Sequence, residues 1–174
     1  MSEKVVTIFG TGRAKSGDAV YMLAAEMGRL LGQSGFVVAN GGYGGTMLAS
    51  AKGAVEAGGE TIGVTCRAFK RGSANAYVRR EIVTGSLDER LRTLIGVGQG
   101  YVVLPGGTGT LLELAMVWEL KNKGFLDGRR PIILVGDFWK PLLDLLVKDD
   151  PESGGCVYCA DGPEQVRDIL METI

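Results

Sequence analysis

The sequence predicts an α/β fold, a Rossmann-like parallel sheet with helices on both faces. Three observations predict it. Apolar, β-branched runs alternate with helical stretches from residue 4 to the end of the chain. The runs are uniformly apolar, as in strands buried on both faces of a parallel sheet. Glycine-rich turns follow three of them, at 10–12, 41–45 and 106–109, and in such sheets the loops at the strands' carboxyl ends hold the ligand. With 174 residues and no internal repeat, one domain over 1–174 is expected.

Each element follows from its residues. Lys4 to Phe9 reads as a buried strand ending in Gly10-Thr11-Gly12. Asp18 to Leu31 has helical spacing, with Val20, Leu23, Met27, Leu30 and Leu31 on one side, and it closes near Gly35. Phe36 to Ala39 is a second strand, followed by Asn40-Gly41-Gly42-Tyr43-Gly44-Gly45. A helix of small residues from Thr46 to Ala57 packs close to the sheet, and Gly58-Gly59 stops it. Thr61 to Thr65 and Glu81 to Thr84 are strands, and Leu87 to Val97 is a helix. Between those two strands, Arg67 to Arg80 carries Arg67, Lys70, Arg71, Arg79 and Arg80: either a cover for an anionic ligand or a solvated basic loop. Tyr101 to Leu104 is the central strand, and the helix after it runs from Leu111 to Leu120. Pro131 to Val135, Trp139 to Val147 and Val157 continue the alternation. Asp161-Gly162-Pro163 caps a last helix, an acceptor side chain preceding Pro near the first turn.

Composition narrows the chemistry. Gly makes up 28 of 174 residues, about 16% against a typical ~7%, clustered at the ends of apolar runs as backbone-lined loops would be. A net charge of −1 with no basic block argues against nucleic acid as partner. No apolar run approaches ~18 residues, so no membrane span is expected. The first residues lead straight into a strand, and a soluble cytoplasmic chain is expected. There is no histidine, which excludes Ser-His and Cys-His nucleophile pairs and His-ligated metals. Cys156-x-x-Cys159 has metal or redox spacing, but a zinc site needs about four ligands. With Cys66 the only other cysteine, two small buried residues near a late strand are expected, and no metal or organic cofactor. No lysine has the context of a Schiff-base pocket, so pyridoxal chemistry is not expected.

The densest signal is Leu104-Pro-Gly-Gly-Thr-Gly-Thr-Leu-Leu-Glu113, a strand, a glycine turn and a helix. Gly106, Gly107, Thr108, Gly109 and Thr110 form an anion nest at a helix start. The turns Gly10, Thr11, Gly12 and Gly41, Gly42, Gly44, Gly45 belong to the same sheet edge. Neither matches the dinucleotide fingerprint or the P-loop. Together the three turns favour a phosphate-bearing ligand. Glu113 has two readings. Thr110-x-x-Glu113 is a capping box, in which Glu113 reaches back to the helix start. Alternatively the carboxylate faces a ribose, as carboxylates do in glycoside cleavage.

The motif resembles the P-G-G-x-G-T-x-x-E signature of the LOG (Lonely Guy) family, many of whose members carry the label "lysine decarboxylase". Leu87-Asp88-Glu89-Arg90-Leu91 is similar to its M-x-x-R-K helix start, and Gly41 to Met47 is similar to its earlier glycine loop. The resemblance covers residues 4 to about 135. It implies a phosphoribohydrolase that cleaves a nucleoside 5′-monophosphate such as AMP to free base and ribose 5-phosphate. Arg90 and Glu113 would be the catalytic pair and the glycine loops the nucleotide site, in a homodimer. The chain departs from the family at Leu91, where it has Lys, at Leu112, where it has a second acid, and at Asn40, where it has a third glycine. These changes resemble the branch of molybdenum-cofactor carrier proteins, which implies the alternative of a non-hydrolytic binder.

Overall fold

The computed structural model describes residues 3–174; Met1 and Ser2, part of the expected direct entry into the first strand, lie outside them. Seven strands alternate with six α-helices: β1 Val5–Phe9, α1 Ala19–Gln33, β2 Val37–Asn40, α2 Thr46–Glu56, β3 Thr61–Cys66, β4 Arg80–Thr84, α3 Leu87–Val97, β5 Gly100–Val103, α4 Thr108–Asn122, β6 Ile132–Val135, α5 Lys140–Leu146, β7 Val157–Ala160 and α6 Pro163–Thr173. All pair in parallel, in the order β4-β3-β2-β1-β5-β6-β7. The chain winds outward from β1 in one direction, then jumps back to lay β5 on its other side. The loops after β1 and β5 therefore part, and a crevice opens between them at the carboxyl edge of the sheet.

Strands β1, β2, β3, β5 and β6 are buried throughout, as their apolar runs require. The edge strands depart from the expectation of uniform burial: Arg80, Glu81 and Val83 of β4 and Tyr158 and Cys159 of β7 face solvent. An edge strand has a neighbour on one side only, and polar or charged side chains there discourage further pairing. Cys159 is thus exposed and Cys156 half-buried, not two buried residues as expected.

Two apolar layers flank the sheet. Met27, Leu31 and Phe36 pack with Val38, Leu104 and Leu170 on one face. Leu94, Val117 and Trp118 pack with Phe9, Val103 and Ile132 on the other. Helices α1 and α2 touch through glycine: a Cβ on Gly28 would overlap the carbonyl of Ser50. That contact draws α2 in and brings its N-terminus beneath the β1 loop, where Thr46 donates from both its N–H (2.9 Å) and its Oγ1 (3.1 Å) to the carbonyl of Thr11.

Helix α4 differs from expectation at its start. It begins at Thr108 rather than Leu111, with Gly107 as N-cap and no side-chain cap. Its Leu111, Leu112 and Ala115 are exposed: a helix apolar almost all round is either enclosed or open to a second subunit, and the chain alone does not enclose this one. At α6 the N-cap is Gly162, not Asp161; the Asp161 N–H instead donates to Gln165 (2.8 Å), and Pro163 holds the first helical position as expected. Among the described residues no helix is long and apolar enough to cross a membrane.

Candidate functional site

A cleft of about 770 Å³ lies at the crevice between the β1 and β5 loops. One wall is Gly10, Thr11 and Gly12; another is the start of α4, Gly107 to Thr110. The first intrahelical bond of α4 runs from the Leu111 N–H to the Gly107 carbonyl (2.9 Å). The N–H groups of Thr108, Gly109 and Thr110 precede it and have no partner within the helix. They carry the positive end of the helix dipole to the cleft wall.

The floor holds Arg90 and Glu113. Arg90 sits in the first turn of α3, whose start is fixed by Ser86: its hydroxyl accepts the Glu89 N–H (3.3 Å), while Glu89 accepts the Gly85 N–H (2.6 Å). Arg90 is 8% exposed. Its Nε donates to the Val64 carbonyl (2.8 Å) and its Nη2 to the Gly41 carbonyl (3.0 Å). A Cβ at Gly41 would occupy the guanidinium's place, so glycine is required there by close approach. The guanidinium lies 5.7 Å from the Tyr43 ring centre and 5.3 Å from that of Phe69. Nη1 is left to face the Glu113 carboxylate, 3.8 Å away.

Glu113 is not a cap. Because α4 starts at Thr108, Thr110 already lies inside the helix and Glu113 points to Arg90. Burial pushes the Glu113 carboxyl up to about 7, while the Arg90 charge pulls it down. Burial wins because 3.8 Å is beyond hydrogen-bond contact and the guanidinium is already shared with two carbonyls. Burial likewise lowers the Arg90 pKa, opposed by Glu113. A carboxyl poised near neutrality in a cleft suits general-base or charge-stabilising work.

The remaining glycines stand behind the wall rather than in it. Gly41, Gly42, Gly44, Gly45 and Gly106 do not line the cleft. The 41–45 loop instead packs on the β1 loop and supplies the carbonyl that holds Arg90. Asn40 organises it: its Nδ2 donates to the Met47 carbonyl (2.9 Å) and its Oδ1 accepts the Gly42 N–H (2.8 Å). The extra amide thus does work a third glycine could not. Arg13, Met47, Phe69, Arg71, Leu87, Leu91 and Leu112 also line the cleft. Of these, the sequence singled out Arg71 within a basic loop, Leu91 and Leu112 as departures from a motif, and Leu87 and Met47 as ends of motifs, but not Arg13 or Phe69. The aromatic partners Tyr43 and Phe69 carried no sequence signal.

Fold and site together define a Rossmann-like α/β protein with a switch-point cleft built on glycine loops and a buried arginine facing a half-buried glutamate. The chain belongs to the SLOG cluster4 family, whose sequence profile matches residues 3–166. It is 36% identical over 119 residues to a Mycobacterium tuberculosis protein named cytokinin riboside 5′-monophosphate phosphoribohydrolase, covering 67% of this chain and 62% of that one, less than two thirds of the relative's length. A Rhodococcoides fascians protein of the same name is 28% identical over 148 residues, 82% of this chain and 74% of the other. Among solved structures, the molybdenum cofactor binding protein of Rippkaea orientalis and the molybdenum cofactor carrier protein of Chlamydomonas reinhardtii each align with a TM-score of 0.81 at 25% identity, over 99% of this chain and 98% of theirs.

Proposed function

We propose that the chain is a phosphoribohydrolase that releases the base from a nucleoside 5′-monophosphate. The observation that carries the reading is Glu113: it leaves the helix start uncapped and turns to Arg90 in the floor of the cleft. The 5′-phosphate rests on the N–H groups of Thr108, Gly109 and Thr110, with the ribose over Glu113. Ionised Glu113 stabilises positive charge developing at the anomeric carbon or takes a proton from the attacking water. Water adds to that carbon as the glycosidic bond breaks, and the bond's electron pair leaves with the base, which gains a proton. Arg90, pinned by two carbonyls and always charged, orients Glu113 and offers electrostatic help to the departing base rather than a proton. The relatives named as phosphoribohydrolases support this reading.

A second reading, a non-hydrolytic carrier of a phosphorylated ligand, is favoured by the two molybdenum-cofactor proteins that align over nearly the whole chain. A homodimer through α4 accounts for the exposed Leu111, Leu112 and Ala115, of which Leu112 lines the cleft and would carry its rim to the partner.

The test is incubation with AMP and a panel of nucleoside monophosphates, assayed for free base beside Glu113→Gln. Release by the wild type and its loss in the variant support hydrolysis. No release, with ligand-induced thermal stabilisation of both proteins, supports the carrier. Neither release nor stabilisation removes the phosphate assignment.

A further inference from the structure

Two guanidinium groups of the cleft are not used by its floor. Besides Arg90 the cleft is lined by Arg13 and Arg71, against the single carboxylate of Glu113. Arg71 makes no ion pair or side-chain hydrogen bond among the described residues. Its guanidinium carbon lies 5.8 Å from the Tyr43 ring centre and 5.7 Å from that of Phe69, the same two rings that Arg90 packs against. Two guanidinium groups sharing two aromatic rings repel one another, and the Arg71 charge works against that of Arg90. An anion between or above them relieves that repulsion.

The loop that carries Arg71 is tied to the rest of the fold. Arg71 stands between two left-handed residues, Lys70 (φ 51°) and Gly72 (φ 76°), and Lys70 is the only non-glycine residue with positive φ among those described. Asn75 ties the same loop down, donating from Nδ2 to the carbonyls of Gly42 (3.1 Å) and Tyr43 (2.8 Å). Glu81 holds its other side, accepting from Thr65 Oγ1 (2.7 Å) and the Ala74 N–H (3.2 Å). The Arg71 guanidinium reaches across to the β1 loop: a Cβ on Gly12 would lie 4.0 Å from Arg71 Nη1. Arg13 is the next residue of that loop. The β1 loop adjoins the α4 nest because β1 and β5 are neighbours in the sheet.

We propose that Arg71, with Arg13, holds a second phosphoryl group over the Gly10–Gly12 loop, so that the cleft takes a nucleoside 5′-diphosphate more tightly than the monophosphate. This rests on reading the cleft as a nucleotide site. The first phosphoryl group occupies the start of α4, and the second lies one bridge oxygen away, on the side of the cleft where the free guanidinium groups stand. Planar forks of this kind match phosphate oxygens two at a time.

Calorimetric titration with adenosine, AMP and ADP on wild type, Arg71→Gln and Arg13→Gln tests it. Wild type binds ADP about tenfold or more tighter than AMP, the scale of one charge-assisted phosphate contact. Arg71→Gln removes most of that gap and changes AMP affinity by less than about twofold; Arg13→Gln shrinks the gap less. Arg71 is exposed and unpaired, so the variant folds, which an unchanged melting temperature verifies. Equal binding of AMP and ADP by wild type overturns the proposal and leaves the nucleotide site standing. So does an equal loss of both ligands in Arg71→Gln, which makes Arg71 a general contact. If neither nucleotide binds, the nucleotide reading falls and the proposal with it.

Discussion

Helices α3 and α4 begin with the same four-residue pattern and use it in opposite ways. Ser86-x-x-Glu89 opens α3, and Thr110-x-x-Glu113 lies at the start of α4. At α3 the Ser86 hydroxyl accepts a backbone N–H and Glu89 reaches back to the Gly85 N–H, so both side chains serve the helix end. At α4 the helix has already begun at Thr108, and the carboxylate turns inward to Arg90. Glu89 is exposed and solvated; Glu113 is half-buried, its side chain largely covered, and burial raises its pKa to about 7. A capping pattern therefore states that a cap is available. Whether it is used depends on where the preceding turn places the first helical residue and on what else the acid can reach. Here Gly107 can serve as N-cap and a buried cation waits beneath the helix.

The largest effect that separates the two acids is on the hydrolysis proposed above. Glu113→Gln lowers base release by about 10²–10⁴-fold, the range for a lost general base or charge stabiliser, while Glu89→Gln leaves it within about twofold. A matching loss in both variants, read as free base per unit time, would erase the distinction.

Next in size is the cation. Arg90→Ala leaves the Val64 and Gly41 carbonyls without their donor and Glu113 without its counter-charge, a loss of about 3–5 kcal/mol. Arg92→Ala, exposed on the same helix, stays within about 0.5 kcal/mol. Urea midpoints of the two variants measure the contrast.

The pH dependence comes third. The folded-state pKa of Glu113, about 7, lies above its ordinary value of 4.5. Between these values the folded protein binds more protons than the unfolded chain. The contribution of Glu113 to stability is therefore fully present below about 4.5 and declines as the pH rises through about 7, flattening above it. Glu113→Gln removes that decline and Glu89→Gln keeps it, in melting temperatures recorded from pH 4.5 to 8. The pH–rate profile moves the other way if the ionised form is the active one, rising to a plateau above about pH 7.

The smallest effect belongs to the working cap. Ser86→Ala costs about 1 kcal/mol and Ser86→Gly only a few tenths, since glycine leaves the backbone N–H groups open to water. A Ser86→Ala variant as stable as wild type would mean that Glu89 alone secures the start of α3.

Much of this was legible in the chain. Alternating apolar runs and helical stretches placed the elements within a few residues, because an interior strand buried on both faces must be apolar throughout. The glycine turns and the Arg90 and Glu113 positions could be read from their motif. Tyr43 and Phe69 could not be joined to the site in advance, and Arg71 only as one charge of a loop read either as a cover for an anionic ligand or as solvated. They come together only when the loops after β2 and β3 fold over α3, and no spacing in sequence encodes that meeting. For the same reason the 41–45 loop looked like a ligand contact and proved to be the support for Arg90.

By itself, then, the sequence determined the parallel sheet, its loop-bearing edge and the residue types available there, since these follow from local hydrophobicity and backbone freedom. Only the tertiary structure decided which glycine turns face the cleft, that Glu113 abandons its cap, and that the apolar helix α4 keeps an open face. Those outcomes depend on competition between partners distant in the chain: a carbonyl for a guanidinium, a buried cation for a carboxylate, a sheet for one side of a helix. Each is settled by distance and burial, which exist only once the chain has folded.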